Sequence, residues 1–151
     1  MQVNRERGFS LVELMLVMLI IIIAIAISVP TYTGYMIRVH RADVKKEMTV
    51  IAQRLAAYRL ANNDYGANSS NATNVLLSSA IHGGTGYPVT GTTYYDLQIT
   101  PNPTTSWTLR AVPVANTIQG TDGDIKLNNQ GWHCWTQGNG NCTLSAPSSW
   151  D

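Results

Sequence analysis

Charge is scarce in this chain. Asp, Glu, Lys and Arg together make up 13% of its 151 residues, about half the usual share for a soluble domain, which implies that part of the polypeptide is not meant for water. With 10 Lys and Arg against 9 Asp and Glu and a formal net charge of +1, there is no polyelectrolyte excess of the kind that drives non-specific nucleic-acid binding. Catalytic signatures are missing as well. No G-x-S-x-G, H-E-x-x-H or phosphate-loop pattern occurs, and no Ser, His and acidic set is recognisably arranged, which argues against an enzyme. The length is that of one ordinary domain.

What charge there is lies unevenly. Only Arg110 and Lys126 among the basic residues follow Arg59, while Glu13 is the one charge between Gly8 and Ile37. From Asn62 onward the chain is rich in Asn, Thr, Gly and Ser. The first part suits lipid or protein contacts and the second suits water.

The segment Met1 to Gly8 is short and polar and carries Arg5 and Arg7, and an apolar stretch from Phe9 to Val29 begins at once. As a helix that stretch is about 31 Å long, matching the hydrocarbon layer of a bilayer. Leu11, Leu14, Met15, Leu16, Met18, Leu19 and Ile20 to Ile23 place apolar side chains on every face, so a membrane-embedded helix is the direct reading. A secretory signal peptide cut after Ala24-Ile25-Ala26 is the competing one. It explains neither Glu13 inside the apolar region nor a pattern that runs on past Ala26.

A carboxylate in such a helix costs about 2.5 to 3.5 kcal/mol on insertion scales. It can be met by protonation, by snorkelling, or by a cation at the same depth. Cleavage after Gly8 would supply that cation, because the new α-amino group on Phe9 would lie one turn before Glu13, within reach of Glu13 in the same chain or in a neighbouring copy. An unpaired Glu13 would then penalise wrong registers during self-assembly.

Arg7-Gly8-Phe9-Ser10-Leu11-Val12-Glu13 followed by the apolar run resembles the class III signal of type IV pilins. The resemblance implies cleavage by a prepilin peptidase between Gly8 and Phe9 and N-methylation of Phe9. It also implies an inner-membrane precursor with a periplasmic head, and polymerisation with other pilin subunits into an extracellular pilus. Segment Tyr94 to Trp135, with Asp122-Gly123-Asp124-Ile125-Lys126-Leu127 and Gln130-Gly131-Trp132, is most similar to PilE-type minor pilins. The implied fold is α+β, a long N-terminal helix packed against a three- to four-stranded antiparallel sheet. Its expected divisions are a leader over 1–8, a transmembrane and filament-core helix over 9–30, an amphipathic helix half over 31–62 and a globular head over 63–151.

The residues beyond the membrane stretch support that plan. Pro30 should kink or loosen the helix, and with Glu13 it is an expected assembly residue. Val44, Met48, Ile51, Leu55 and Tyr58 then form one apolar seam, with Asn62-Asn63 as a stop. Tyr95, Leu97 and Ile99 alternate, as do Trp107, Leu109 and Ala111, around a Pro101-Asn102-Pro103-Thr104 turn, which reads as a hairpin. Pro113 should end the second strand or put it at an edge, and Ile125 and Leu127 follow a Thr121-Asp122-Gly123 turn as a third. In the long segment before the hairpin, Val75, Leu76, Leu77, Ala80 and Ile81 could form a short helix.

Outside the cytoplasm, Cys134 and Cys142 are most simply one disulfide, worth about 2.6 kcal/mol in the chain-entropy model. In pilins the corresponding closed region is an exposed variable face. His133 beside Cys134 does not complete a zinc site, Asp122-Gly123-Asp124 is a turn rather than a calcium loop, and His40 and His82 have no obvious partners. No metal or cofactor is expected. Trp107, Trp132, Trp135 and Trp150 could stack on sugars or bases or simply pack, and Asn68 and Asn71 begin glycosylation-type triplets. The function expected is that of a structural, minor subunit of a type IV pilus serving adhesion, twitching motility or DNA uptake. Its rivals are a type II secretion pseudopilin and a pilus-associated receptor for DNA or glycans. Lys and Arg counts flanking the apolar stretch favour the opposite orientation, but the cysteines and the resemblance place the leader inside.

Overall fold

The computed structural model describes residues 8–63, 65, 78, 81–102, 106–138, 142–146 and 150. The first seven residues of the leader, the short helix expected around Val75, both glycosylation-type triplets and the tip of the expected hairpin turn lie outside the described residues. One helix, α1, spans Leu11–Asn62. The chain divides into two compact units, Met1–Met36 and Ile37–Asp151.

In the first unit α1 begins where Ser10 accepts the Leu14 N–H through its carbonyl at 3.2 Å. Glu13 thus lies in the first turn, where the helix dipole favours a carboxylate. The helix is continuous through Pro30, whose nitrogen has no hydrogen to donate to the Ala26 carbonyl. Polar side chains in this stretch fold back on the helix itself. The hydroxyls of Ser28, Thr31 and Thr33 donate to the carbonyls of Ala24, Ile27 and Val29 at 2.8, 3.2 and 3.2 Å, so the helix meets its surroundings with few unpaired donors.

In the second unit Val44, Met48, Ile51 and Leu55, at spacings of four, three and four, are fully buried. They face a five-stranded antiparallel sheet in the order β1-β2-β3-β4-β5. Its strands are β1 Gly86–Tyr87, β2 Tyr95–Asn102, β3 Ser106–Pro113, β4 Ile125–Asn128 and β5 His133–Trp135. Three to four strands were expected. The two extra ones are the short β1 and β5, which contain too few residues for alternation to be seen.

Tyr95, Leu97, Trp107, Leu109, Ala111, Ile125 and Leu127 form the sheet side of the core, as the alternation in the sequence requires. β3 ends at Pro113 as expected, but the hairpin is tighter than expected, since Pro101 and Asn102 are still paired with Trp107 and Ser106. Proline is tolerated there because β1 reaches only Tyr95 and Asp96, leaving β2 an edge strand at Pro101. Between β3 and β4 the chain turns at Gly123 with φ of 97°. A Cβ at that position would stand 2.0 Å from the Thr136 carbonyl oxygen, so the turn can pack against the strand's continuation only as glycine.

Candidate functional site

The first unit's chemistry is its surface. Phe9 is 82% exposed, and the large apolar side chains from Leu11 to Val29 are all roughly half-exposed or more. A soluble monomer does not leave so long a contiguous apolar surface bare, and none of these side chains is buried within the chain. Gly8 and Phe9 precede the helix. The structure therefore places Gly8, Phe9 and Glu13 at the N-terminal end of a helix whose apolar circumference is bare.

The second unit contains a buried polar cluster that the sequence did not reveal. Asp122 is 3% exposed and accepts from Arg41 Nε at 2.9 Å, as well as from Arg41 Nη2, from the Tyr95 hydroxyl and from Gln119 Nε2 at 3.0 Å. Gln119 Nε2 also lies 3.0 Å from the Ile37 carbonyl, and the Arg41 guanidinium lies 3.7 Å from the centre of the Trp135 ring. Trp135 Nε1 in turn donates to the Asp122 carbonyl at 3.1 Å. Burial, and then the hydrogen bond to Asp122 and its negative charge, push the Tyr95 hydroxyl far above the usual tyrosine range. The arrangement ties the start of the head's helix segment to the turn after β3. The sequence offers Asp122 as a turn residue or a calcium ligand, and gives Gln119 no signal.

The companion carboxylate, Asp124, accepts from Arg110 Nε at 2.8 Å and from Arg110 Nη2. Both acids of Asp122-Gly123-Asp124 are thus taken up by guanidinium groups, a use opposite to cation binding. Among the described residues no three His, Cys, Asp or Glu side chains gather as metal ligands.

Cys134 and Cys142 are joined, with Cα atoms 5.8 Å apart, and Lys126 Nζ donates to the Cys142 carbonyl at 3.0 Å. Of the two histidines for which the sequence shows no partner, His82 has polar partners, whereas His40 Nε2 is buried with no hydrogen-bond partner. His40 stacks on Tyr94 with centroids 4.0 Å apart. His82 lies with Nδ1 3.2 Å from Glu47 Oε1 and Nε2 3.3 Å from the Gly86 carbonyl, and His133 stacks on Trp150 at 4.2 Å. Beside His82, burial and the charges of Asp43 and Glu47 raise the Tyr87 hydroxyl. Of the tryptophans, Trp107 is core at 3% exposure and Trp135 packs against the core. Most cations have local work: Lys45 donates to the Trp150 carbonyl at 2.7 Å, Arg54 to the Ile81 carbonyl and Arg59 to the Tyr65 hydroxyl. Arg38 and Lys46 stand exposed on α1.

An uncovered apolar half-helix with an acid in its first turn, and a separately folded unit of helix and antiparallel sheet closed by one disulfide, together define a pilin subunit. Residues 3–29 match the prokaryotic N-terminal methylation motif. Residues 30–126 match the family of the type IV minor pilin ComP, DNA uptake sequence receptor, and the chain belongs to that family. A minor pilin of the type IV pilus is therefore established, and the family places it with pili rather than with secretion pseudopilins. Among solved structures the chain is similar to the non-core minor pilin PilV of Neisseria meningitidis. The two are 18% identical over 72% of this chain and 94% of that one, with a TM-score of 0.48. No curated protein matches the chain.

Proposed function

We propose that this minor pilin is made with a leader over 1–8, cut between Gly8 and Phe9, methylated on Phe9, and built into the pilus through the helix over 9–30. Its head, 63–151 with the helix half 31–62, faces the periplasm in the precursor and the outside in the fibre. The observation that carries this reading is the bare apolar surface of the first unit. Moving that surface from lipid to neighbouring helices keeps it out of water throughout. Glu13 sets the axial register by pairing with a Phe9 α-amino group, and Pro30 interrupts the helix's hydrogen bonding between the two halves. No catalytic step is proposed for any residue.

In the fibre the head acts in DNA uptake as a receptor for duplex DNA. Support comes from the family match, which covers most of the head. The cations available to phosphates are few. Arg38, Lys46 and Arg54 are exposed on α1, and Arg110, which already holds Asp124, stands opposite Lys126 across β3 and β4. Binding should therefore rest on shape and base contacts more than on charge, with log K against log salt no steeper than about −4.5 for one head. Intact-mass measurement of the native protein tests the processing. The expected species begins at Phe9 with one added methyl and lacks two hydrogens at Cys134 and Cys142, whereas a chain starting at Met1 or Ile27 would remove the assembly mechanism. Electrophoretic mobility shifts with duplex DNA across a salt series test the receptor role, which fails if no sequence is preferred over bulk DNA.

A further inference from the structure

Within the second unit, between α1 and the β4–β5 end of the sheet, lies a half-open groove of about 400 Å³. α1 lines it with Ala52, Gln53 and Ala56, and the sheet side with Leu127, Asn128 and His133. No Asp, Glu, Lys or Arg is among its described lining residues, and His133 is stacked on Trp150. An uncharged occupant can enter such a groove without stripping a charge of its water.

A matching group stands elsewhere on the same unit. Among its described residues the large apolar side chains left exposed are Leu60, Val89 and Ile118. Leu60 lies one turn beyond Ala56 on α1, at the groove's own end of the helix. Val89 lies between β1 and β2, at the opposite edge of the sheet from β5. Ile118, 43% exposed, belongs to the loop over 114–121, which carries no charge. That loop is firmly held. The Thr117 and Gly120 N–H groups donate to the Val114 and Thr117 carbonyls, both at 3.1 Å, and the buried Gln119 side chain places Nε2 3.0 Å from the Ile37 carbonyl on α1. Ile118 is thus a preorganised apolar knob.

Knob and groove lie along the same helix. Ile37, Arg41, Ala52 and Ala56, spaced by four, eleven and four, share one flank of α1, and Arg41 on that flank also holds Asp122, just past the loop. From Ile37 to residues 52–56 the helix rises about 23 to 29 Å. A displacement of that size along α1 brings the loop of one copy level with the groove of the next, which neither Leu60 nor Val89 allows. We propose that the groove seats Ile118 of a second copy of this chain, in a head-to-tail contact between heads of the fibre. Because knob and groove are different surfaces of one molecule, repeating the contact extends an open filament instead of closing a pair. Ala52, Ala56 and Leu127 receive the aliphatic side chain, and the Gln53 amide can pair with a peptide group of the loop. A contact of this size is weak by itself, and the buried apolar helices hold the copies at the effective concentration at which it counts.

The test is pairwise cross-linking of the full chain in zwitterionic micelles, with the Cys134–Cys142 bond left closed. A chain carrying Asn116→Cys, in the loop beside Ile118, is mixed with a larger-tagged chain carrying Gln53→Cys and treated with a short bis-maleimide. The heterodimer should form at least about fivefold more than from Thr90→Cys, beside Val89, with Gln53→Cys. Ile118→Asp in the loop chain, or Ala56→Trp in the groove chain, should each bring the yield down to that of the Thr90 pair. Both positions are exposed, so the thermal midpoint should not move. The contact rests on the polymerisation reading, but the two fail separately: Glu13→Ala in both chains should leave the cross-link intact even where it keeps the protein out of sheared pili. The proposal is overturned by a yield equal to that of the Thr90 pair, by a yield that survives Ile118→Asp or Ala56→Trp, by loss of the cross-link in Glu13→Ala, or if duplex DNA, rather than the parent chain, shields Gln53→Cys from maleimide.

Discussion

Removing the Asp122 carboxylate should unlock the head. In Asp122→Ala the Arg41 guanidinium loses its only described carboxylate while its side chain stays 17% exposed. The Tyr95 hydroxyl and Gln119 Nε2 lose an acceptor in the same step. Breaking a buried ion pair by deleting one partner costs about 3 to 5 kcal/mol. For a unit of the size of Ile37–Asp151, each kcal/mol lowers the midpoint by about 4 °C, so a fall of about 12 to 20 °C is expected. The unit has its own core, and thermal unfolding of its soluble form followed by near-ultraviolet circular dichroism reads the change. A double-mutant cycle with Arg41→Ala separates the pair from its surroundings. If the charge pair is the source, the double variant should be more stable than the sum of the singles implies, by at least about 1 kcal/mol. Additive effects, or an Asp122→Ala midpoint within about 4 °C of the parent, would refute the argument that this cluster holds the head together.

Other outcomes follow from the same geometry. The Tyr95 hydroxyl is raised by burial and by Asp122, so the folded head keeps its proton where an unfolded tyrosine loses it. That stabilisation is complete below pH about 10 and should decline above it by about 1.4 kcal/mol per pH unit, with Tyr87 adding the same sign. Denaturant midpoints between pH 8 and 11 should show the decline, and Tyr95→Phe should flatten it. Reducing the Cys134–Cys142 bond should cost about 2.6 kcal/mol, read as a lower midpoint for Cys134→Ser, Cys142→Ser at unchanged fold. Glu13→Ala should leave the head's circular dichroism unchanged but sharply reduce the protein recovered in sheared pili; normal incorporation would remove Glu13 from assembly.

Much of the plan was legible because two signals survive in a single sequence. Hydrophobicity on every face of a 21-residue run can only mean lipid or helix burial, and it marked the first half of α1. Period-two alternation marked Tyr95, Leu97, Trp107, Leu109 and Ala111 as inward-facing, and all are buried. The seam of Val44, Met48, Ile51 and Leu55 was equally clear. What escaped notice had no local pattern. β1 and β5 are two and three residues long and exist only because neighbouring strands offer them hydrogen bonds. His82 seemed isolated because Glu47 and Gly86 reach it from α1 and β1.

The order of amino acids therefore determined by itself which parts of this protein avoid water. Hydrophobic burial is decided residue by residue, and its periodicity is set by the backbone geometry of helix and strand. The tertiary structure alone decided the pairing of Arg41 with Asp122 and of Arg110 with Asp124. Partner choice for polar groups depends on directions and distances across the fold, and in the sequence Arg41 and Asp122 stand 81 residues apart.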